Sequence, residues 1–137
     1  MSFSDINYLT VVIAGILNMI IGFLWYGPLF SKPWMKLVGL TPEKISEQSD
    51  KMGMNYLTSF VLALVSAAVF QTIYMSFNPA DIVESITLAF LVWFGFVFAV
   101  VINQSMFVKK PFKLILIDSG YNLVSLTVWS VLYLYIS

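Results

Sequence analysis

The chain has 137 residues, of which 60% are hydrophobic and 10% charged, and its mean hydropathy is +0.90. Soluble domains are roughly 45–50% apolar and about 25% charged, so the composition predicts an integral membrane protein, with residues 1–137 forming one domain. Its seven lysines and seven acidic residues balance, which argues against nucleic acid as a partner. The chain has no cysteine and no histidine, which excludes disulfides, thiolate or imidazole catalysis and the common zinc sites. We therefore predict a protein that is not an enzyme and has no catalytic residues, metal or cofactor.

Four apolar segments follow one another along the chain, at residues 6–30, 56–77, 82–106 and 112–136. At ~1.5 Å per helical residue, each is long enough to cross a hydrocarbon core about 30 Å thick. Helices are required because an open strand edge in lipid would leave backbone groups unpaired. The predicted fold is an all-α bundle of four transmembrane helices. The N-terminus has no basic start and no cleavage site typical of a signal peptide, so helix one is expected to remain in the mature protein.

Small and polar residues form stripes along the first three helices. In helix one, Gly15, Asn18, Gly22 and Trp25 share one face, where small residues admit a close neighbour. Two further stripes repeat every four residues: Ser59, Ala63 and Ala67 in helix two, and Gly95, Ala99 and Asn103 in helix three. Such stripes predict packing between helices or between copies of the chain.

The two polar connections on either side of helix two contain helix-capping signals. Thr41 and Pro42 predict the start of a short amphipathic helix at the membrane surface, which Gly53 would end. Its apolar residues Ile45 and Met52 lie on one side, which is enough to rest on lipid headgroups but too little to bind the membrane strongly, so a solvated linker helix is the favoured interpretation. In the second connection, Asp81 and Glu84 have the spacing of a capping box at the start of helix three.

The fourth helix carries a polar face in the sequence LILIDSGYNLVSLTVWS. Asp118 is the ionisable residue most clearly inside a span, ~7 Å along the axis from Lys113, and intramembrane ionisable residues are candidates for function. Polar residues of helices one and three are predicted at a similar depth, in the inner half of the bundle. The candidate polar site comprises Asp118, Asn122, Tyr121, Ser125, Asn103, Gln104, Asn18, Tyr26 and Trp25.

The distribution of lysines predicts the orientation of the chain in the membrane. All seven lie between helices one and two or around the connection between helices three and four: Lys32, Lys36, Lys44, Lys51, Lys109, Lys110 and Lys113. The positive-inside rule therefore predicts that loops 31–55 and 107–113 are cytoplasmic and that both termini are extracytoplasmic. A bacterial cell membrane is the expected location.

Two stretches of the chain resemble the signatures of a small membrane-protein family known as domain of unknown function 1761. The first stretch is WYGPLFSKPWM. It agrees with the first family signature at Trp25, Tyr26, Gly27, Pro28, Leu29, Lys32, Trp34 and Met35. The second stretch is LIDSGYNLV. It agrees with the second family signature at Leu116, Ile117, Gly120, Tyr121, Leu123 and Val124. The first stretch departs from the family by one residue fewer before Phe30 and by Ser31 in place of the usual Gly, and the second by Asn122 where relatives often carry His. The resemblance covers nearly the whole chain and implies a four-helix membrane protein without an assigned activity.

Three classes of function remain open. The polar face could join copies of the chain, or dock another membrane protein, as an assembly or accessory protein. It could instead line an oligomeric channel or transporter for protons, ions or a small polar solute. A third possibility is an intramembrane enzyme or lipid-binding protein, in which Asp118 with Tyr26 or Tyr121 would supply the acid/base pair. The expected partners are the lipid bilayer and either a second copy or another membrane protein.

Overall fold

A computed structural model describes residues 3–47 and 49–136, and the side chain of Ser49 lies outside the description. The chain is 90% helical, with no strand among these residues. Four helices are long and apolar enough to span a membrane: Tyr8–Leu29, Asp50–Phe77, Ile82–Val108 and Phe112–Ile136. The predicted all-α membrane protein with four spanning helices is confirmed.

The first spanning helix ends in a kink. Its regular part, α1 (Tyr8–Leu24), starts where the side chain of Asn7 accepts a hydrogen bond from the backbone N–H of Thr10. A wide helical turn follows at Trp25–Leu29 and leaves helical geometry at Gly27, where φ is −101° and ψ is −106°. Pro28 accounts for the kink because it has no backbone N–H and its ring clashes with the preceding turn.

The first connection contains two short helices rather than one. The helix α2 (Ser31–Val38) has Pro33 in its first turn, where proline is tolerated, so the proline does not terminate a helix there. It ends at Gly39, whose φ of 74° favours glycine. The second helix, α3 (Pro42–Glu47), begins as predicted, with the hydroxyl of Thr41 accepting from the backbone N–H of Lys44 at 3.2 Å.

The predicted end of the surface helix at Gly53 is wrong. Gln48 lies outside the described residues, and the next helix, α4 (Ser49–Phe77), runs through Gly53 without interruption. A glycine inside a helix costs about 1 kcal/mol relative to alanine. The long apolar helix that follows Gly53 is stable enough to extend seven residues before its predicted start at Tyr56.

The remaining two spanning helices follow the predicted segments closely. The third consists of α5 (Ile82–Trp93), a wide turn at Phe94–Phe98 and α6 (Ala99–Val108). Its predicted N-cap is present, since Asp81 Oδ1 accepts from Glu84 N at 2.9 Å. Glu84 reaches back as predicted, but its Oε2 accepts from Ala80 N at 2.7 Å, one residue before the N-cap, so the arrangement is not a regular capping box. The fourth helix, α7 (Phe112–Ile136), has the predicted bounds.

The helix α7 packs against α1 and α5, and α1 packs against α4. Large aromatic side chains join these helices by donating hydrogen bonds to backbone carbonyls across the interface. These bonds run from Trp129 to Ala14 at 2.9 Å, from Tyr133 to Ala67 at 2.8 Å and from Trp93 to Ser119 at 2.7 Å. Buried indole and phenol groups need such partners, and the carbonyls have a second lone pair to offer.

The main hydrophobic core lies at the end of the bundle where α1 begins and α7 ends. Phe70 packs against the rings of Tyr74, Trp129 and Tyr133. The hydroxyls of Tyr74 and Ser85 are 2.6 Å apart and join α4 to α5. The opposite end of the bundle, which we call the lysine-bearing end, carries residues 30–47 and 109–111 and contains the polar residues predicted as a site.

Candidate polar site and cavity at the lysine-bearing end

Tyr26 and Asp118 connect the first spanning helix to the fourth. The hydroxyl of Tyr26 donates to Oδ1 of Asp118 at 2.7 Å, and both side chains are half-buried. Tyr26 reaches this position because it lies in the wide turn that ends the first span, whereas Asp118 lies in the second turn of α7. A carboxyl group at this depth needs a hydrogen-bond donor, and Tyr26 supplies one.

Two more hydrogen bonds join the same pair of helices. The indole Nε1 of Trp25 donates to the backbone oxygen of Ile117 at 2.8 Å, and the hydroxyl of Tyr121 donates to the backbone oxygen of Asn18 at 3.0 Å. Asn18 therefore contributes its backbone carbonyl to this contact, not the amide side chain that drew attention in the sequence. Glycines permit the close approach, since a Cβ on Gly120 would lie 3.1 Å from Trp25 Cζ2.

Three aromatic rings form a continuous wall at the lysine-bearing end. The ring of Tyr26 lies edge-on to Trp34 of α2, with centroids 5.2 Å apart, and to Tyr121 of α7, with centroids 5.5 Å apart. These edge-to-face geometries are favourable for aromatic pairs. The hydrogen bond to Asp118 fixes the ring of Tyr26 in the centre of this wall.

A cavity of about 590 Å³ lies beside the wall. It is bounded by α1, the start of α4 and Tyr121, and the segment formed by α2 and α3 covers it. Its lining is mostly apolar, with three methionines, and only Ser59 and the tyrosines present hydroxyl groups. The lining residues are Met19, Gly22, Phe23, Tyr26, Gly27, Trp34, Met35, Leu40, Ile45, Met52, Tyr56, Ser59 and Tyr121.

Of these lining residues, Tyr26 and Tyr121 belong to the polar site predicted from the sequence, and the others were not predicted as part of a site, although a signal for some of them exists. Ile45 and Met52 were predicted on one side of a surface helix that was solvated or resting on headgroups, but they line the cavity instead. Trp34 and Met35 are adjacent apolar residues of α2, and in the same helix they lie between the exposed Lys32 and Lys36 in the sequence. This amphipathic pattern indicates that one side of α2 is covered, but it does not identify the cavity as the space beneath.

Asn122 and Ser125 lie further along the polar face of α7. Asn122 is exposed, and its amide donates to the backbone oxygen of Asp118 at 3.1 Å. Ile115 and Trp129, seven residues before and after Asn122 and therefore on the same helix face, are only 6% and 4% exposed. Ser125 is buried. The bundle is therefore open at the level of Asn122 and closed above and below it.

The polar residues of the third helix do not join the cluster around Asp118. Asn103 and Gln104 are both exposed on α6, whereas Ser105 beside them is buried. Gly95 and Ala99, which form the predicted stripe with Asn103, are exposed as well. A Cβ on Gly95 would have no neighbour within 4 Å. This stripe has no partner among the described residues, whereas Ala63 and Ala67 of the second helix are buried.

Asp118 is the one carboxylate of the cluster, and its neighbours are phenols, indoles and amides. No group of three metal-ligating side chains occurs in residues 3–47 and 49–136. The arrangement can accept and donate hydrogen bonds at an apolar wall, and the cavity can hold a largely apolar molecule.

The sequence model of the family described as Protein of unknown function (DUF1761) matches residues 9–134. The chain belongs to this family. No curated protein and no solved structure matches the chain. The two stretches that resemble the family signatures lie far apart in the sequence, and the hydrogen bonds from Trp25 and Tyr26 to α7 bring them into contact.

Proposed function

We propose that the protein is a homo-oligomeric membrane assembly protein whose copies meet along the exposed polar face of α6 and α7. The observation that carries this proposal is the exposure of Asn122. This residue lies ten positions after the start of α7, ~15 Å along the helix axis. An amide at that depth is costly to leave against lipid tails, and a second protein surface removes that cost.

The chemistry of the face favours a second copy over an unrelated partner. Asn and Gln side chains each carry a donor and an acceptor, so the same residue on two copies can form reciprocal hydrogen bonds. Asn103 and Gln104 extend the face towards the lysine-bearing end. Gly95 and Ala99 continue it towards the other end with small side chains that let two backbones approach closely.

The experiment measures oligomer size by single-molecule photobleaching in phosphatidylcholine vesicles. Gly95→Ile and Ala99→Ile add bulk where a single copy has open space or exposure, so each is expected to reduce the oligomer to single copies while the helical content is unchanged. Ser66→Ile is the matched control, since Ser66 is an exposed small residue of α4. A wild-type protein that remains a single copy at all protein densities contradicts the proposal.

An oligomeric channel for protons, ions or a small polar solute is the second candidate. The gap at Asn122, next to half-buried Asp118, favours it, because several copies could surround a polar path. The core of a single copy is filled by Phe70, Trp129 and Tyr133. The test is proton and potassium flux into vesicles: a conducting oligomer should lose flux in Asp118→Asn without a change in oligomer size, whereas an assembly protein should conduct nothing in either form.

We further propose that the lysine-bearing end is cytoplasmic, that both termini are extracytoplasmic, and that the membrane is a bacterial cell membrane. The concentration of all seven lysines at one end supports this orientation. A cysteine introduced at exposed Ser46 should resist a membrane-impermeant maleimide added to intact cells and react after the cells are opened. A cysteine at exposed Asn78, in the connection at the other end, should react in intact cells. The reverse pattern contradicts the orientation.

A further inference from the structure

We infer that the cavity at the lysine-bearing end binds an anionic phospholipid, with one acyl chain in the cavity and the headgroup on the lysines of α2. The site consists of α1, α2, α3, the start of α4 and Tyr121 of one copy. It is separate from the face of Asn122, Asn103 and Gly95 and does not depend on the proposed oligomer.

The shape and lining of the cavity suit a flexible apolar chain. Its volume of about 590 Å³ lies within the ~300–1,000 Å³ typical of ligand sites. Along the first spanning helix the lining extends from Met19 in α1 to Gly27 in the turn that follows, which corresponds to about 12 Å of helix axis. Met19, Met35 and Met52 are unbranched and polarizable, so they can adapt to an acyl chain in several conformations.

The position of the cavity gives a bilayer lipid access to it. The lining includes residues of three spanning helices as well as the short helices α2 and α3 that cover it. Ser59 and Tyr56 of α4 line the cavity and are also exposed. A chain can therefore enter from the hydrocarbon region while its headgroup remains at the level of α2.

The charge of α2 selects an anionic headgroup. Lys32 and Lys36 are one helical turn apart and exposed, and Trp34 and Met35 between them line the cavity. The helix contains no acidic residue, and the nearby carboxylates Glu43 and Glu47 belong to α3. Basic residues beside a membrane surface attract anionic lipids, at about fivefold in affinity per lysine.

The experiment compares quenching of Trp34 fluorescence by two brominated lipids. The protein is reconstituted in phosphatidylcholine vesicles that contain phosphatidylglycerol as the minor, anionic component. In one sample the acyl chains of phosphatidylglycerol carry bromine, and in the other those of phosphatidylcholine do. The total amount of bromine is the same in both samples. The Trp34 signal is the difference between wild type and Trp34→Phe. The ratio of phosphatidylglycerol to phosphatidylcholine in the site is expected to exceed their ratio in the bilayer by at least about fivefold.

Two pairs of variants test which residues select the anionic lipid and whether its acyl chain occupies the cavity. Replacing both Lys32 and Lys36 by Gln should bring the occupancy ratio of the two lipids close to their bulk ratio. Replacing both Lys109 and Lys110 by Gln removes the same charge from the other connection and should leave the preference intact. Ser59→Phe should reduce quenching of Trp34 by filling the cavity, whereas Ser66→Phe, one heptad further along α4, should not.

Equal quenching by the two lipids overturns the inference. It is also overturned if the Lys109 and Lys110 variant loses as much selectivity as the Lys32 and Lys36 variant, since the effect would then be general surface attraction. Unchanged quenching in Ser59→Phe shows that the acyl chain does not occupy the cavity. Oligomer size, measured on the same vesicles, is expected to be identical in all four variants, so failure of the lipid site and failure of the oligomer are distinguishable.

Discussion

The hydroxyl of Tyr26 donates to Oδ1 of Asp118 at 2.7 Å, which joins two residues that are 92 positions apart in the chain. The same phenol ring lies edge-on to Trp34 and Tyr121 and lines the cavity. One side chain therefore connects the polar face of α7 with the apolar cavity under α2. Substitution of Tyr26 or of Asp118 is therefore expected to alter both the polar face and the cavity.

Tyr26→Phe should destabilise the folded protein by about 1–3 kcal/mol, because it leaves a half-buried carboxyl group without its donor. Asp118→Asn should cost less, since an amide oxygen can still accept from Tyr26. The measurement is the free energy of unfolding by sodium dodecyl sulfate in mixed micelles. Tyr135→Phe is the control, because Tyr135 is 72% exposed. Equal effects of Tyr26→Phe and Tyr135→Phe would show that the hydrogen bond contributes nothing.

Gly53→Ala should stabilise the protein by roughly 0.5–1 kcal/mol, since Gly53 lies inside α4 and an added Cβ would meet nothing within 4 Å. Gly120→Ala should destabilise it, because the new Cβ would lie 3.1 Å from Trp25 Cζ2. The free energies of unfolding of the two variants, measured in the same micelles, should be higher than wild type for Gly53→Ala and lower for Gly120→Ala. If Gly53 ended a helix with a positive φ, Gly53→Ala would be destabilising instead.

Trp129→Phe should cost roughly 1–3 kcal/mol, because it removes the hydrogen bond to Ala14 and leaves a gap in the buried core beside Phe70. Trp34→Phe is the comparison, since Trp34 is partly exposed beside a cavity that can absorb the lost volume. Thermal unfolding followed by circular dichroism should therefore show a lower midpoint for Trp129→Phe than for Trp34→Phe. A lower midpoint for Trp34→Phe than for Trp129→Phe would show that the hydrogen bond and packing of Trp129 contribute less to stability than we expect.

Asp81→Ala should destabilise the start of α5 by about 1 kcal/mol, because the side chain of Asp81 accepts from the backbone N–H of Glu84. Asp81→Asn keeps a capping oxygen and should be close to wild type. Amide hydrogen exchange of residues 82–86 is the local measurement, with faster exchange expected in the alanine variant. Unchanged exchange there would mean that lipid or solvent satisfies these N–H groups equally well.

Hydropathy and capping patterns were sufficient to predict the spanning helices. Apolar length set the extents of α5, α6 and α7, and the local spacing of Asp81 and Glu84 identified a real N-cap at Asp81. These features depend on residues close together in the sequence. Gly53 was misread because glycine at the end of a helix and glycine inside one look alike until the conformation of the neighbouring residues is known.

The arrangement of the polar residues could be predicted only in part. Tyr26 and Asp118 were placed at the same depth, and they form a direct hydrogen bond. Asn103 and Gln104 are at a similar distance from the end of their helix, yet they face away from this pair and are exposed. Depth follows from counting residues, but the rotation of a helix against its neighbours depends on packing, and the wide turn at Phe94–Phe98 changes that rotation within the third span.

Five of the aromatic hydrogen bonds between helices end on backbone oxygens, at Ala14, Asn18, Ala67, Ile117 and Ser119. A backbone oxygen is supplied by every amino acid, so each contact constrains the identity of the donor but not of the acceptor. Evolution can therefore vary the accepting position freely within the limits of size, while the tryptophan or tyrosine opposite must stay. Paired substitutions between two positions would leave no trace of these contacts, and the helices of relatives could keep their arrangement while the accepting surfaces diverge in sequence.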